Sequence, residues 1–353
     1  QPTNEEIKEA LLDAQNNCFA VGLTTVDDAG LKKNIVDAID GLQKSGDLQM
    51  RVYAMLTDNR ENMDYYLKNG KYKTDRLNVC SFKFYGDGAL GSRGACLIAP
   101  YSDKKEQGFL LSKPQHFDSA AVKLYEKGFQ MNTHCIGDSA VRYIQNLYYS
   151  TLSAKKDFPR RWRIEHLQVT TPQDMATLSQ LPKGSIIPSV QPTHATSDMY
   201  WAKDRLGEER IKYAYAYKDL LKASGVLALG TDFPVENINP LYTFYAAVAR
   251  KDLKGFPENG FEMENALSRE EALRGMTGWA AYANFEENEK GSIEPGKFAD
   301  FVILDNDLMK MDINKVPEVK VVETFVNGQS VYQWLSVMDY EKKGSDSIKK
   351  SLQ

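Results

Sequence analysis

The chain is poor in cysteine, histidine and net charge, and it has no long apolar run. Cysteine occurs only four times in 353 residues, as Cys18, Cys80, Cys96 and Cys135. None forms a C-x-x-C pair, which argues against zinc knuckles and thioredoxin-type motifs. Four in a chain of this size do not make a disulfide scaffold. They read as small buried residues, with Cys135 alone beside candidate chemistry. No apolar run approaches the ~20 residues that span a bilayer. A net charge of −4 gives no electrostatic footprint for nucleic acid or an acidic membrane surface. The glycine-rich stretch FYGDGALGSRGA lacks the Gly-Lys-Ser/Thr of a P-loop. The opening residues, QPTNEEIKEALLDAQ, lack the basic start and apolar middle of a secretory leader, which favours a cytoplasmic location. A leader on a longer precursor stays open, because the start reads as truncated. Internal repeats and low-complexity tracts are also absent.

What remains is an ordinary soluble composition, 42% hydrophobic and 26% charged, long enough for one large domain and a small one. Helix and strand patterns alternate along it. EEIKEALLDAQNNC has helical spacing, and FAVGLTTVDDAG reads as a strand leaving through a polar turn. LKKNIVDAIDGLQKSG is a helix stopped at Gly46, and QMRVYAML is a strand. NVCSFKFYGDG is the next strand, followed by a glycine-rich loop from Gly86 to about Ser112. PQHFDSAAVKLYEKG leads as a helix into GFQMNTHCIGDSA. DSAVRYIQNLYYSTLSA leads into RWRIEHLQV, and TPQDMATLSQL into SIIPSVQPTH. GVLALGTDFPV is the seventh strand of the series. SREEALRGMTGWAAYA closes it as one helix, with Ser268 as N-cap. Such alternation predicts a parallel sheet, open or closed as a barrel.

Lys83, His134, His166 and Asp232 each sit at or just past the end of a predicted strand. Functional residues gather at strand C-terminal ends in a TIM barrel, so this placement favours the barrel over the open sheet. Seven strands are countable where eight are required, and the absent one is expected to be the first. After residue 285 the pattern changes. KGSIEPGKFADFVILD predicts a turn and a strand, and VKVVETFVNGQSVYQ two strands joined by Asn327-Gly328. The expected division is a barrel over 1–285, strands of a small β-sandwich over 286–336, and a polar tail over 337–353.

Imidazoles on consecutive strand ends can share one coordination sphere, and two of them suit Zn²⁺ or a similar divalent ion. Each of His134 and His166, taken alone, could equally be a satisfied core residue. Asp232 is either a helix cap or turn residue, or a metal ligand that doubles as general base. Lys83, in a buried strand, needs a carboxylate partner or a changed charge state, carboxylation by CO₂ among them. Asp87 and Arg93, in the glycine-rich loop, are candidates for lining a substrate pocket, Arg93 binding either a substrate carboxylate or a neighbouring acid. His194, Asp198 and Trp201, after SIIPSV, are placed to touch substrate. Tyr101, Tyr200 and Trp201 lean toward a bulky or aromatic group. His116, in a helix start, reads as surface.

Taken in order, GLTTVDDAG, KFYGDGALGSRGA, NTHCIGDSAV, RIEHLQ, QPTHATSDMYW, ALGTDFPVE and GSIEPGKFADFVILD resemble the amidohydrolase superfamily, most closely its YtcJ-like metal-dependent hydrolases, over about residues 18–335. The resemblance implies a TIM-like (β/α)8 barrel beside a small β-sandwich. It implies Lys83 as a carboxylated bridging ligand, His134 and His166 as ligands of one metal, and Asp232 as ligand of another and catalytic base. The implied reaction is hydrolysis of an amide or cyclic amide C–N bond in a small-molecule substrate, with one or two divalent ions, Zn²⁺ by default. Members of this type also carry a His-x-His pair on their first barrel strand, and no such pair occurs here. The expectation is therefore an impaired or inactive fragment of such an enzyme. The alternative is a short non-catalytic homologue that binds a ligand or partner. A missing strand would leave two open barrel edges, so association, with a second copy among the options, is also expected.

Overall fold

The computed structural model describes residues 2–153 and 160–334. The expected tail over 337–353, the end of the sandwich segment at 335–336 and the helix residue Ala154 lie outside them. Seven strands run parallel: β1 (Thr25–Leu31), β2 (Arg51–Thr57), then, past the short hairpin strand β3 (Tyr72–Lys73), β4 (Leu77–Tyr85), β5 (Gln130–Cys135), β6 (Trp162–His166), β7 (Ile186–Val190) and β8 (Ala228–Leu229). They lie in chain order, β1-β2-β4-β5-β6-β7-β8, with β3 antiparallel to β4. Helices connect them: α1 (Asn4–Ala20) before β1, then α2 (Lys33–Ser45), α3 (Arg60–Asn69), α4 (Pro114–Lys127), α5 (Asp138–Ser153) and α6 (Pro172–Leu178). The result is a curled sheet with helices outside, an incomplete TIM-like barrel whose ladder path ends at β1 and β8.

Strands buried on both sides read as near-continuous apolar runs, as RVYAMLT does in β2. Alternation sends Leu77 and Val79 and, past a register shift in the β2–β4 ladder that skips Cys80, Phe82 and Phe84 of β4 into the main hydrophobic cluster with Met131, Trp162 and Ile164. Ser81 and Lys83 take the opposite face. The register aligns Tyr85 with His134, His134 with Glu165, and Cys135 with His166. These pairings set the candidate side chains at one level, on the C-terminal side of the sheet.

After β7 come α7 (Pro192–Asp198), α8 (Ala202–Arg210) and α9 (Tyr217–Ser224), and after β8 come α10 (Pro240–Ala249), α11 (Arg269–Met276) and α12 (Gly278–Ala283). Several details differ from expectation. The strand expected through His194 ends at Val190, because Pro192 starts α7. The expected closing helix breaks at Thr277, whose φ of −128° and ψ of −92° belong to neither α11 nor α12. Residues 27–30, expected as a turn, are strand, since Asp27, Asp28 and Ala29 stay in ladder register with Tyr53, Ala54 and Met55 of β2. The helices α3, capped by Asn59, and α10, started by Asn239-Pro240, carry weaker sequence signals and were not anticipated.

The C-terminal strands β9 (Phe301–Leu304), β10 (Val321–Val326) and β11 (Gln329–Gln333) form an antiparallel sheet ordered β11-β10-β9. The β10–β11 turn is at Asn327-Gly328, both with positive φ. This sheet is tied to the barrel base by Arg51, which donates to Asp300 at 3.0 Å and stacks on Phe298 at 3.8 Å. It is tied to α1 by Thr324, whose hydroxyl donates to the Phe19 carbonyl at 2.7 Å.

Candidate metal centre

Three of the chain's four histidines meet at the C-terminal end of the sheet. The rings of His134 and His166 lie 4.5 Å apart edge to face, and those of His166 and His194 are 5.8 Å apart and nearly parallel. Ligand atoms of His166, His194 and Asp232 all lie within 4.8 Å of one another. His194 Nε2 is 3.6 Å from Asp232 Oδ2 and 4.0 Å from Glu236 Oε1. His134 Nε2 is 3.7 Å from Asp87 Oδ1.

The backbone holds two of these residues in an uncommon conformation. His166 has φ of 73° and Asp232 of 59°, left-handed values that non-glycine residues adopt at some cost and that cluster at functional sites. Both stand just where a strand gives out, so the turn aims each side chain over the mouth.

The electrostatics favour neutral imidazoles. Burial, helped by the Lys83 charge, pushes His134 down to about 4. Burial pushes His194 to about 4 as well, and His166 well below its ordinary value. Neutral imidazole is the form that binds metal. His166 Nδ1 is 2.7 Å from Gln191 Oε1, so that nitrogen carries the proton and Nε2 keeps its lone pair. His134 Nε2 and His194 Nε2 are buried and have no hydrogen-bond partner among the described residues. Buried polar atoms are rarely left so, and a cation in the mouth would satisfy them. Asp232 is raised to about 6 by burial, against the pull of Lys83. The donor set, imidazole nitrogen and carboxylate oxygen, fits a Zn²⁺-like ion.

Lys83 lies below this group, 5% exposed, its Nζ 5.0 Å from the Tyr85 ring. Burial lowers its pKa while Glu165 and Asp232 raise it. Glu165 stands beside Arg163, with Nε and Oε1 2.8 Å apart, and Arg163 reaches on to Asp27 and Ser189. Glu165 was missed in the sequence. Its signal was the Arg-x-Glu alternation in WRIEH, which places two charges on one face of an otherwise apolar strand. Gln191 was missed too, and only its packing against His166 reveals it.

The residues expected to touch substrate fall into different roles. Asp87 is buried, and its carboxylate accepts backbone N–H groups from Cys96, Ile136 and Gly137 at 2.8–2.9 Å, clamping the glycine-rich loop to the β5–α5 turn. Arg93 donates to Asp103 at 2.7 and 3.0 Å, the acid-pairing alternative of the two weighed for it. Asp198 accepts from Gln168 and Tyr215, both at 2.8 Å. Trp201 packs where a Cβ on Gly91 would come within 3.2 Å of its ring. His194 is the one that stands with His166 and Asp232 in a group that could hold a metal ion. Tyr101 is buried with its hydroxyl on the Ala95 carbonyl, and exposed Tyr200 stacks on Phe256. His116 is exposed at the rim and paired with Asp58. No helix among the described residues is long and apolar enough to cross a membrane.

Residues 1–332 match the profile described as "Amidohydrolase family". Protein LONG AFTER FAR-RED 3 of Arabidopsis thaliana is 32% identical over 342 residues, which cover 93% of this chain and 58% of that protein. Putative amidohydrolase YtcJ of Bacillus subtilis (strain 168) is 28% identical over 335 residues, covering 93% and 61%. A crystal structure of an uncharacterized metal-dependent hydrolase from Pyrococcus furiosus superposes with a TM-score of 0.77 at 28% identity, covering 88% of this chain and 62% of that one. The chain thus spans about three fifths of the length of these relatives.

Proposed function

The chain belongs to the amidohydrolase family, and from that premise we propose that its barrel mouth is a site for metal-dependent hydrolysis of amide or cyclic amide C–N bonds in small molecules. One observation carries the proposal: three imidazoles, that of His166 buried and those of His134 and His194 half-buried, two of them with buried Nε2 atoms that have no partner among the described residues, converge with Asp232 at the strand ends. The residues that would hold an ion are to be found among His134, His166, His194, Asp232 and Lys83, and Zn²⁺ suits this set best. A bound divalent ion supplies Lewis acidity and brings the pKa of water to about 7.

The chain's own residues do the rest. Asp232 accepts a proton at its carboxylate from the attacking water and passes it to the leaving nitrogen as the C–N bond breaks. Gln191 keeps the His166 proton on Nδ1 and so fixes which nitrogen faces the mouth. Asp87 holds the loop at residues 94–98 against the β5–α5 turn, which shapes the wall beside His134. Lys83, when carboxylated by CO₂, changes from a buried cation into a second anion beneath the ion.

The test is hydrolysis of a panel of N-acyl amino acids, N-formyl amines and cyclic amides by the Zn²⁺-supplemented chain. Turnover abolished by chelator and lowered about 10²–10⁴-fold in Asp232→Asn is the expected result, the range for loss of a general base. Turnover indifferent to both would sink the proposal. Zn²⁺ binding without turnover of any member would favour the non-catalytic binding reading.

A further inference from the structure

His166 can serve one ion, not two. Its Nδ1 is occupied by Gln191, which leaves a single lone pair at Nε2. Two sets of neighbours compete for an ion placed there. Lys83 and His134 lie on one side, His194 and Asp232 on the other. Granted the reading of the mouth as a hydrolase metal site, we propose that this chain binds one Zn²⁺-like ion through His166, His194 and Asp232, with Lys83 and His134 outside its coordination sphere.

Geometry supports the choice. Ligand bonds of about 2.0–2.1 Å in a tetrahedron put ligand atoms about 3.3–3.4 Å apart. The His194 Nε2 to Asp232 Oδ2 separation of 3.6 Å is already near that edge, and it is too long for a hydrogen bond. The three atoms lie within 4.8 Å, so side-chain shifts of about 1 Å would complete the shell. His134 instead faces Asp87 at 3.7 Å, and its ring has a backbone hydrogen bond to Gly88. Asp87 cannot follow an ion inward without releasing three backbone N–H groups.

Charge supports it as well. Unmodified Lys83 is an ammonium without a lone pair, and a dication beside it meets repulsion in a buried site. That side then offers two neutral nitrogens and a cation. The other side offers two neutral nitrogens and a carboxylate, with Glu236 4.0 Å behind His194. Two histidines and an acid form a three-ligand set with an open fourth position, the arrangement of catalytic rather than structural zinc. His194 therefore acts as a ligand, not as the substrate contact its position after β7 first implied.

The experiment uses the whole 353-residue chain, stripped with chelator. Zn²⁺ affinity and stoichiometry come from calorimetry, and coordination geometry from the visible spectrum of the Co²⁺-substituted protein. Circular dichroism and melting temperature establish that each variant is folded, with His194→Asn as a second substitution if His194→Gln disturbs packing. One ion per chain and a tetrahedral Co²⁺ spectrum are expected. His194→Gln and Asp232→Asn should weaken Zn²⁺ binding at least about 100-fold, more than the ~10–100-fold lost with an orienting partner alone. His134→Gln and Lys83→Met should cost at least tenfold less than that. The reverse order, with His134→Gln and Lys83→Met the damaging pair, would overturn this assignment and leave the hydrolase reading standing. A wild-type chain that binds no Zn²⁺ would overturn both.

Discussion

On the helix-covered face of the sheet, Leu77, Val79, Phe82, Phe84, Met131, Trp162 and Ile164 join one hydrophobic cluster with Phe117, Leu124 and Tyr148. On the inner face the same strands present Ser81, Lys83, Asn132, His134, Arg163, Glu165 and Ser189, all but His134 counted among the buried polar residues. On the outer face the indole N–H of Trp162 and the hydroxyl of Tyr148 are hydrogen-bonded to backbone carbonyls. On the inner face Ser81 Oγ, both amide atoms of Asn132 and His134 Nε2 are without hydrogen-bond partners among the described residues. Each such group costs about 1–3 kcal/mol. The outer face stabilises the fold, and the inner face gives up stability to keep polar atoms poised for something else.

Adjacent residues test that contrast with the largest expected effect. Trp162 is fully buried on the outer side, its indole N–H donating to the Phe129 carbonyl at 3.1 Å and its ring 4.8 Å from that of Tyr148. Trp162→Ala should lose about 4 kcal/mol in a urea denaturation series, the cost of a large cavity. A loss under about 1 kcal/mol would mean that the outer face is not the stabilising one.

Arg163, next in the chain, points the other way, into Asp27, Glu165, Ser189 and Asn284. Arg163→Met should cost about 3 kcal/mol by the same measurement, because it strands the buried Glu165 carboxylate. Adding Glu165→Gln should recover about 1 kcal/mol of it, since the stranded charge goes too. Purely additive losses would show that the inner face is packed like the outer.

A smaller effect than either single substitution lies at the rim. Burial, against hydrogen bonds from Tyr215 and Gln168, raises Asp198 to about 6. An unfolded Asp titrates near 3.9, so between about pH 4 and 6 the folded chain holds a proton that the unfolded chain has released. That contribution to stability is complete below pH 4 and fades as pH rises through 6. Relative to Asp198→Asn, the wild type should lose about 2 kcal/mol of stability between pH 4 and 6, after allowance for partial exposure. Parallel pH profiles of the two proteins would remove Asp198 as the source.

Much of this was legible in the chain. Seven parallel strands, the C-terminal hairpin at Asn327-Gly328 and the placement of Lys83, His134, His166 and Asp232 at strand ends follow from periodicity and turn chemistry, which are local. The two sides of Arg93 were not separable, because its partner Asp103 lies ten residues on in an irregular loop. His194 was legible as a pocket residue, but its place beside His166 and Asp232 was not. Its nearness to Asp232 depends on β7 and β8 pairing side by side and on α7 starting at Pro192. Neither α10 nor the break at Thr277 had a strong enough signal, since a run such as PLYTFYAAVA is apolar nearly all round and shows no amphipathic period.

The sequence by itself determined the strand-and-helix alternation, the family and the residue types available for an ion, because these rest on short-range patterning and on the order of motifs. Tertiary structure alone decided which of those residues stand together, which are spent holding loops, and which nitrogen of His166 is free. Those outcomes depend on distances of 3–5 Å between side chains far apart in the chain, set by the curl of the sheet and the register of its strands.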